Sequence, residues 1–379
     1  MSRSSAGVAI AGAAECDLGV THQSVLGLQT QAVTRALADA GLTLADVDGL
    51  ATTGVGRFSA TSLAEHLGLR PSWTDSTFAG GSAFEMFVAR AAQAIEAGQA
   101  SVVVISFASN QRSARSRSLG GAYEAHLPEA QFEQPYGPLY PASHYAMAAG
   151  QYLHRYGATR EDLAEVAVAA REWALKNPRA FRYDAGPLTV ADVLESKPVS
   201  TPLTVGDCCL VTDGGGAVVL TSLERARDLP KPPVVVLGYG ESTTNASMTA
   251  VEDLTVTGAV ASGRAAFARA GLTPADVDVA QLYDSFTITV LLSLEALGFC
   301  GPGEAGGFVR ERRLPLNTSG GGLSYCHPGQ FGVLLLVEAV RQLRGECGER
   351  QVDGAEVALA HGTGGILSTH ASVLLGVDR

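Results

Sequence analysis

The chain has 379 residues, 46% hydrophobic and 17% charged, with a formal net charge of −11. That length and apolar content support a large buried core and argue against disorder. The acidic balance argues against nucleic acid or an anionic membrane surface as a partner.

The first element in chain order is an apolar-periodic helix that stops at Gly41, a glycine suited to a left-handed C-cap, and restarts after Thr43. A strand follows over 47–52, then a helix over 83–97 and a buried strand, SVVVIS, at 101–106. The basic run Asn110 to Arg117 comes next; its uses are coenzyme A phosphates, a partner protein or simple solvation. Residues 120–205 are Tyr/Pro-rich (QPYGPLYPASHYAM) with helices at 143–156 and 160–176, and read as an inserted lid. A strand at 215–222 closes the first half, and RARDLPKPPVVV at 225–236 joins it to the second.

The second half repeats the first. Residues 266–278 (AFARAGLTPADVD) match residues 36–48 (ALADAGLTLADVD) at ten of thirteen positions with a constant offset of 230. A strand over 277–282, a helix over 331–345 and strands at 355–361 and 370–376 parallel their first-half counterparts. Alternating buried strands and helices in two related halves predict an α/β fold of two mixed sheets with helices on and between them. The halves are 1–119 with 206–224, and 232–379, with the insert at 120–205. Six cysteines (Cys16, Cys208, Cys209, Cys300, Cys326 and Cys347) lack paired C-x-x-C spacing, which fits a reducing, cytoplasmic setting with neither a disulfide framework nor a metal site. No stretch reaches the ~18 apolar residues of a membrane span.

Five segments together resemble the thiolase superfamily, in its lipid-transfer, sterol-carrier-type branch: DSTFAGGSAFEMFVARAAQAIEAGQASVVVIS, PLTVGDCCLVTDGGGAVVL, LYDSFT, NTSGGGLSYCHPGQFG and AHGTGG. The resemblance covers nearly the whole chain. It implies two mixed five-stranded sheets in an α-β-α-β-α layering with an inserted lid domain. It also implies a homodimer and an acyl-CoA substrate, with coenzyme A present only as part of that substrate.

The chain departs from the family at its nucleophile. Where the resemblance implies an acyl-carrying cysteine at a helix start stands Phe78, which has no lone pair to attack a thioester. Ser82 is the nearby hydroxyl, either a weak nucleophile or a helix cap. In the second loop Tyr283 takes the place of the residue holding an oxyanion water, with Asp284 as orienter; the phenol can donate a hydrogen bond, act as a base if its pKa is depressed, or simply pack. The third loop keeps the family's His-Pro as His327-Pro328 after Gly321 and Gly322, with Asn317 upstream, so His327 is matched to the enolate-stabilising histidine. Tyr325 shares that loop, and Cys326 is the rival nucleophile. In the fourth loop His361 stands for the second thiolase cysteine, as a proton shuttle or a core histidine, and Gly364 and Gly365 allow close backbone approach. Phe78, Ser82, Asn317, Gly321, Gly322, Gly364, Gly365 and Arg112 are the implied substrate and CoA contacts.

Loss of the cysteine with retention of the histidine leaves enolate chemistry without an acyl-enzyme. The pattern is similar to steroid side-chain-cleaving aldolases, which implies retro-aldol cleavage of a 3-hydroxyacyl-CoA and a small zinc-ribbon/OB-fold partner protein. A non-catalytic acyl-CoA-binding subunit and an atypical thiolase or acyltransferase are the other readings.

Overall fold

A computed structural model describes residues 7–116 and 125–378; Arg117 and the expected 119/120 boundary of the insert lie outside these residues. The first half contains β1 (Val8–Glu15), α1 (Val25–Ala40), β2 (Gly49–Thr52), α2 (Ser59–Leu67), β3 (Trp73–Asp75), α3 (Ala83–Glu96) and β4 (Val102–Ser109). The insert carries α4 (Ala142–Tyr156), α5 (Arg160–Ala174), α6 (Val190–Glu195) and the hairpin β5 (Pro198–Ser200) and β6 (Leu203–Thr204). Next come β7 (Gly214–Ser222), α7 (Leu223–Arg227), β8 (Val234–Thr243) and α8 (Ala259–Ala270). The chain finishes with β9 (Val279–Leu282), α9 (Thr287–Ala296), α10 (Ala305–Arg310), α11 (Gly332–Leu343), β10 (Val357–Gly364) and β11 (Thr369–Val377).

The repeated stretch folds the same way twice because its turn chemistry is the same. α1 and α8 both end on a left-handed glycine, Gly41 at φ 71° and Gly271 at φ 68°. Asp46 then accepts hydrogen bonds from the N–H and hydroxyl of Thr43 at 3.0 and 2.9 Å, and Asp276 accepts the same pair from Thr273 at 2.7 Å each. The carboxylate that follows pins the next strand. Asp48 accepts N–H bonds from Ser101 and Val102 at the start of β4, and Asp278 accepts from Glu356 and Val357 at the start of β10.

The strand order is β3-β2-β4-β7-β1-β8-β11-β10-β9. Among the described residues the halves meet edge to edge only at Ala9–Val235 and Ile10–Val234, so this is a five-stranded and a four-stranded sheet joined by a short seam. The expected fifth strand of the second sheet is reduced to a single bridge between Leu316 and Ala280. Pro315 offers no N–H there, and Asn317, at φ 49°, turns the chain out of line.

Three cores make the layering. α1 and α2 pack on the outer face of the first sheet, and α3 and α11 fill the space between the sheets. α8 and α9 cover the outer face of the second sheet. The insert shares that last core, with Tyr152, Leu163 and Ala167 packed among Ile288, Leu291 and Phe308. Among the described residues no helix is long and apolar enough to cross a membrane.

Candidate active site

The start of α3, where a thiolase-type nucleophile would stand, is closed. Phe78 is 65% exposed. Ser82 is fully buried, and its hydroxyl is committed to Ala79 O at 2.8 Å and to Thr369 Oγ1 at 2.8 Å, while Thr369 also donates to Ala79 O. Ser82 is therefore a lock between α3 and β11 rather than a free nucleophile. Two glycines permit the close packing here. A Cβ on Gly81 would lie 2.0 Å from Tyr283 Cε2, and one on Gly364 would lie 1.8 Å from Ala79 O.

Tyr283 leaves the end of β9, with its N–H donated to His361 O at 2.9 Å. Its hydroxyl lies 3.1 Å from His327 Nε2 and 3.5 Å from Gly329 O. His327 Nδ1 accepts the Gly329 N–H at 3.3 Å, which assigns the ring proton to Nε2. Burial pulls the imidazole pKa down to about 4, so it is neutral at pH 7 and Nε2–H is a donor without a charge. Burial pushes the Tyr283 phenol well above its usual range, and Cys209, Tyr145 and Asp284 add to the rise. The base role expected for a depressed phenol does not apply to Tyr283 at rest; it is a hydrogen-bond donor.

Asp284 does not orient the tyrosine directly. Its two oxygens accept the N–H groups of Gly322 (2.7 Å) and Leu323 (3.2 Å), anchoring the π-turn Gly321–Tyr325, and burial raises its pKa to about 7 against these bonds. Asn317 accepts the Leu282 N–H at 2.7 Å, tying this turn to the end of β9. Asn317, Gly321 and Gly322 are thus the frame that holds the loop.

The turn leads into Tyr325 and His327, whose rings both pack against Phe331. The Phe331 ring centroid lies 6.2, 6.4 and 6.1 Å from those of Tyr283, Tyr325 and His327. Phe331, the hub of this cluster, was missed in the sequence, where an aromatic four residues after His327 at a helix start was the available signal. Burial also raises the Tyr325 phenol well above its usual range; Glu15 and Cys326 push the same way, while Arg341 and Arg179 oppose it.

His361 is a correction. Along β10, Ala358 and Ala360 face the central core and Leu359 the outer one, so the period of two turns His361 outward. Its Nδ1 lies 2.8 Å from Ser372 Oγ, which contacts Ser262 of α8, and its ring stacks on His370 at 5.6 Å. It is on the opposite face of β10 from Tyr283 and cannot shuttle protons there. Gly365 O instead accepts the hydroxyl of Tyr145 from the insert, whose ring stacks on Phe286 at 4.5 Å. Arg112 lies on the rim, bonded to Val211 O at 3.2 Å and stacked 5.0 Å above Phe181, while Gln111 donates to Pro328 O at 3.4 Å.

No thiol is poised to react. Cys326 is fully buried against Thr212 Oγ1 at 3.2 Å, and burial pushes its pKa up to about 12; burial raises Cys16, Cys208, Cys209, Cys300 and Cys347 as well. Treatment of the native enzyme with iodoacetamide at pH 7.5 is therefore expected to leave turnover intact. Substrate-protected loss of turnover in step with Cys326 labelling would restore a covalent role.

A family profile described as thiolase C-terminal domain-like matches residues 240–377. The chain is 39% identical to the steroid side-chain-cleaving aldolase of Thermomonospora curvata, over 94% of each chain. It is also 39% identical to the 17-hydroxy-3-oxo-4-pregnene-20-carboxyl-CoA lyase of Mycobacterium tuberculosis, over 90% of this chain and 92% of that one. A solved structure described as Ltp2-ChsH2(DUF35) aldolase superposes with a TM-score of 0.89 at 36% identity, covering 98% of both chains. With Tyr283, Tyr325 and His327 gathered around Phe331 and no free nucleophile at the start of α3, the chain belongs to the thiolase superfamily, in its sterol-carrier-type, aldolase-like branch.

Proposed function

We propose that this protein is an acyl-CoA carbon–carbon lyase that cleaves a 3-hydroxyacyl-CoA, with a steroid or similarly bulky lipid side chain, into a ketone and a shorter acyl-CoA. The observation that carries the reading is the neutral Tyr283–His327 pair, 3.1 Å apart, beside a nucleophile position that holds no nucleophile. In retro-aldol cleavage the bond between Cα and Cβ breaks. The hydroxyl on Cβ gives up its proton and becomes a carbonyl, the electron pair moves onto the thioester as an enolate, and Cα then takes up a proton. Tyr283 and His327 donate to the enolate oxygen, where charge develops in a buried site. Tyr325 takes the hydroxyl proton as its phenolate and holds it as the phenol; burial makes that form scarce at rest, and of the two phenols this is the one with guanidinium groups, Arg341 and Arg179, favouring it. Arg112 meets the CoA phosphates at the rim.

A cavity of about 260 Å³ beside Gly365, lined by Met248, Val251, Leu254 and Leu367 with Thr244 and Asn245 among them, can hold part of the substrate's apolar body. Glu252 and Asp253 on its wall disfavour the CoA phosphates there. On this reading the protein acts in the cytoplasm with a small zinc-ribbon/OB-fold partner; the solved structure described as Ltp2-ChsH2(DUF35) aldolase supports a partner subunit. The test is release of the ketone and the short acyl-CoA from steroid and branched 3-hydroxyacyl-CoA substrates with that partner present. No cleavage across the set sinks the reading.

A homodimer is also expected. β3 is the outermost strand of the first sheet, leaving its free edge beside the exposed rings of Phe58 and Phe78. Sedimentation at micromolar concentration should give a dimer; a monomer there counts against it.

A further inference from the structure

Glu85 takes no part in the chemistry above, yet it is an unusual buried group. It lies in the first turn of α3, 1% exposed, and among the described residues neither carboxyl oxygen has a hydrogen-bond partner. Its Oε2 fills a cradle that side chains would close: a Cβ on Gly362 would come within 2.2 Å of it, and one on Gly332 within 2.8 Å. Gly332 is the first residue of α11, and no side chain caps that helix. The residue before it is Phe331, on which the rings of Tyr283, Tyr325 and His327 converge. An unpartnered acid therefore sits at the positive end of the helix that follows the His327 loop.

We propose that Glu85 is an acid switch for the site. Neutral, it leaves the positive end of α11 to favour negative charge at the His327 loop; ionised, it takes that field for itself and weakens enolate stabilisation. Glu85 acts through α11 and not on substrate, so it is a positioning residue. This inference rests on the lyase reading.

The surroundings isolate the carboxyl. On the elements packed against α3, His361 of β10 and His370 of β11 face the outer layer. On α11, Glu338 is bonded to Arg350 and Arg341 to Glu15 of β1. Glu241 of β8 pairs with Arg90 of α3, and Tyr239 of β8 with Arg269. The Ser82 hydroxyl is held by Ala79 O and Thr369. Burial raises the Glu85 pKa, from 4.5 to about 8, against a weaker pull from its own backbone N–H, which is too poorly placed to make a hydrogen bond, so the acid is neutral at pH 7 and ionises just above it.

The linkage has a definite sign. A carboxyl whose folded pKa is raised binds more protons in the native state, so its contribution is full below about 4.5 and is lost as pH rises through about 8. The experiment compares wild type with Glu85→Gln, which keeps the shape of the neutral acid but cannot ionise, with Glu85→Met as the second variant if the amide fails to fold. Two readouts are followed from pH 5 to 9.5: Tm, and kcat for 3-hydroxyacyl-CoA cleavage relative to each protein's own value at pH 6.5. The wild-type Tm should fall relative to the variant between pH 5 and 8 and then run parallel. Wild-type kcat should drop about tenfold by pH 9, one unit above the titration, while the variant drops less than about threefold. A flat Tm difference, or the same alkaline fall of kcat in both proteins, overturns the switch. If wild type cleaves nothing, the lyase reading fails on its own, and the Tm difference alone then decides whether Glu85 titrates.

Discussion

His327→Ala is expected to lower kcat by on the order of 10²–10³-fold, the range for loss of one oxyanion donor, with a smaller change in KM. The buried imidazole, with its pKa near 4, offers an uncharged Nε2–H from about pH 5 upward. The Gly329 N–H bond to Nδ1 holds that tautomer, and the backbone around it is fixed by Thr212, whose hydroxyl accepts the His327 N–H at 2.9 Å. Alanine leaves the Thr212 bond in place but removes the donor, the acceptor of the Gly329 N–H and the ring stacked on Phe331. A thermal melt separates the loss of turnover from any loss of stability. His327→Asn, which retains a neutral N–H donor, should recover part of the loss. Equal kcat in wild type and His327→Ala would remove the histidine from the mechanism. The same burial has a consequence for acid stability. His327 and His370, both pulled down to about 4, bind fewer protons folded than unfolded between that value and about 6.5. Native stability is thus lost as pH falls through that window.

What was legible in the sequence is what local chemistry decides. The repeat could be read because Gly41, Thr43 and Asp46, and their counterparts Gly271, Thr273 and Asp276, encode cap and turn within a few residues. The loops carrying Tyr283, Asp284, Asn317 and His327 lie against one another, as the bonds of Tyr283 to His327 and of Asp284 to Gly322 show. The missing fifth strand was foreshadowed by Pro315 and Asn317, but the left-handed conformation of Asn317 becomes visible only when its side chain bonds Leu282 N–H. His361 was misplaced because neighbouring residues on a strand point to opposite faces, so a motif match one residue off reverses the side chain. Gly362 holds the central face, against Glu85 and Ser82. Tyr145 and Glu85 left no local pattern to find, since each matters only through contacts distant in sequence, such as the bond from Tyr145 to Gly365 O.

The two tyrosines should separate by role when their hydroxyls are removed. Tyr283→Phe and Tyr325→Phe keep the rings that pack against Phe331 and delete one oxygen each, so a purely structural tyrosine predicts almost unchanged turnover. As a donor paired with His327, Tyr283 contributes where charge builds on the thioester oxygen. Its loss should lower kcat by roughly 10²-fold, and by little more in a protein that already lacks His327, because groups acting as one unit are not additive. Tyr325, as proton acceptor, acts on the hydroxyl instead. Tyr325→Phe should lower kcat by roughly 10²–10⁴-fold, the range for general base catalysis, and its loss should multiply with that of His327. Its phenol is raised by burial and by Glu15 and is opposed by Arg341 and Arg179, and both arginines form ion pairs with Glu15. Removing one of them should therefore leave less Tyr325 phenolate to act as base: Arg179→Met, at the more exposed member, is expected to depress kcat at neutral pH and to recover part of it as pH rises. Full turnover in both phenylalanine variants would take the tyrosines out of the reaction. A double variant of Tyr283 and His327 with fully multiplied losses would show that the hydrogen-bonded pair does not act as one donor.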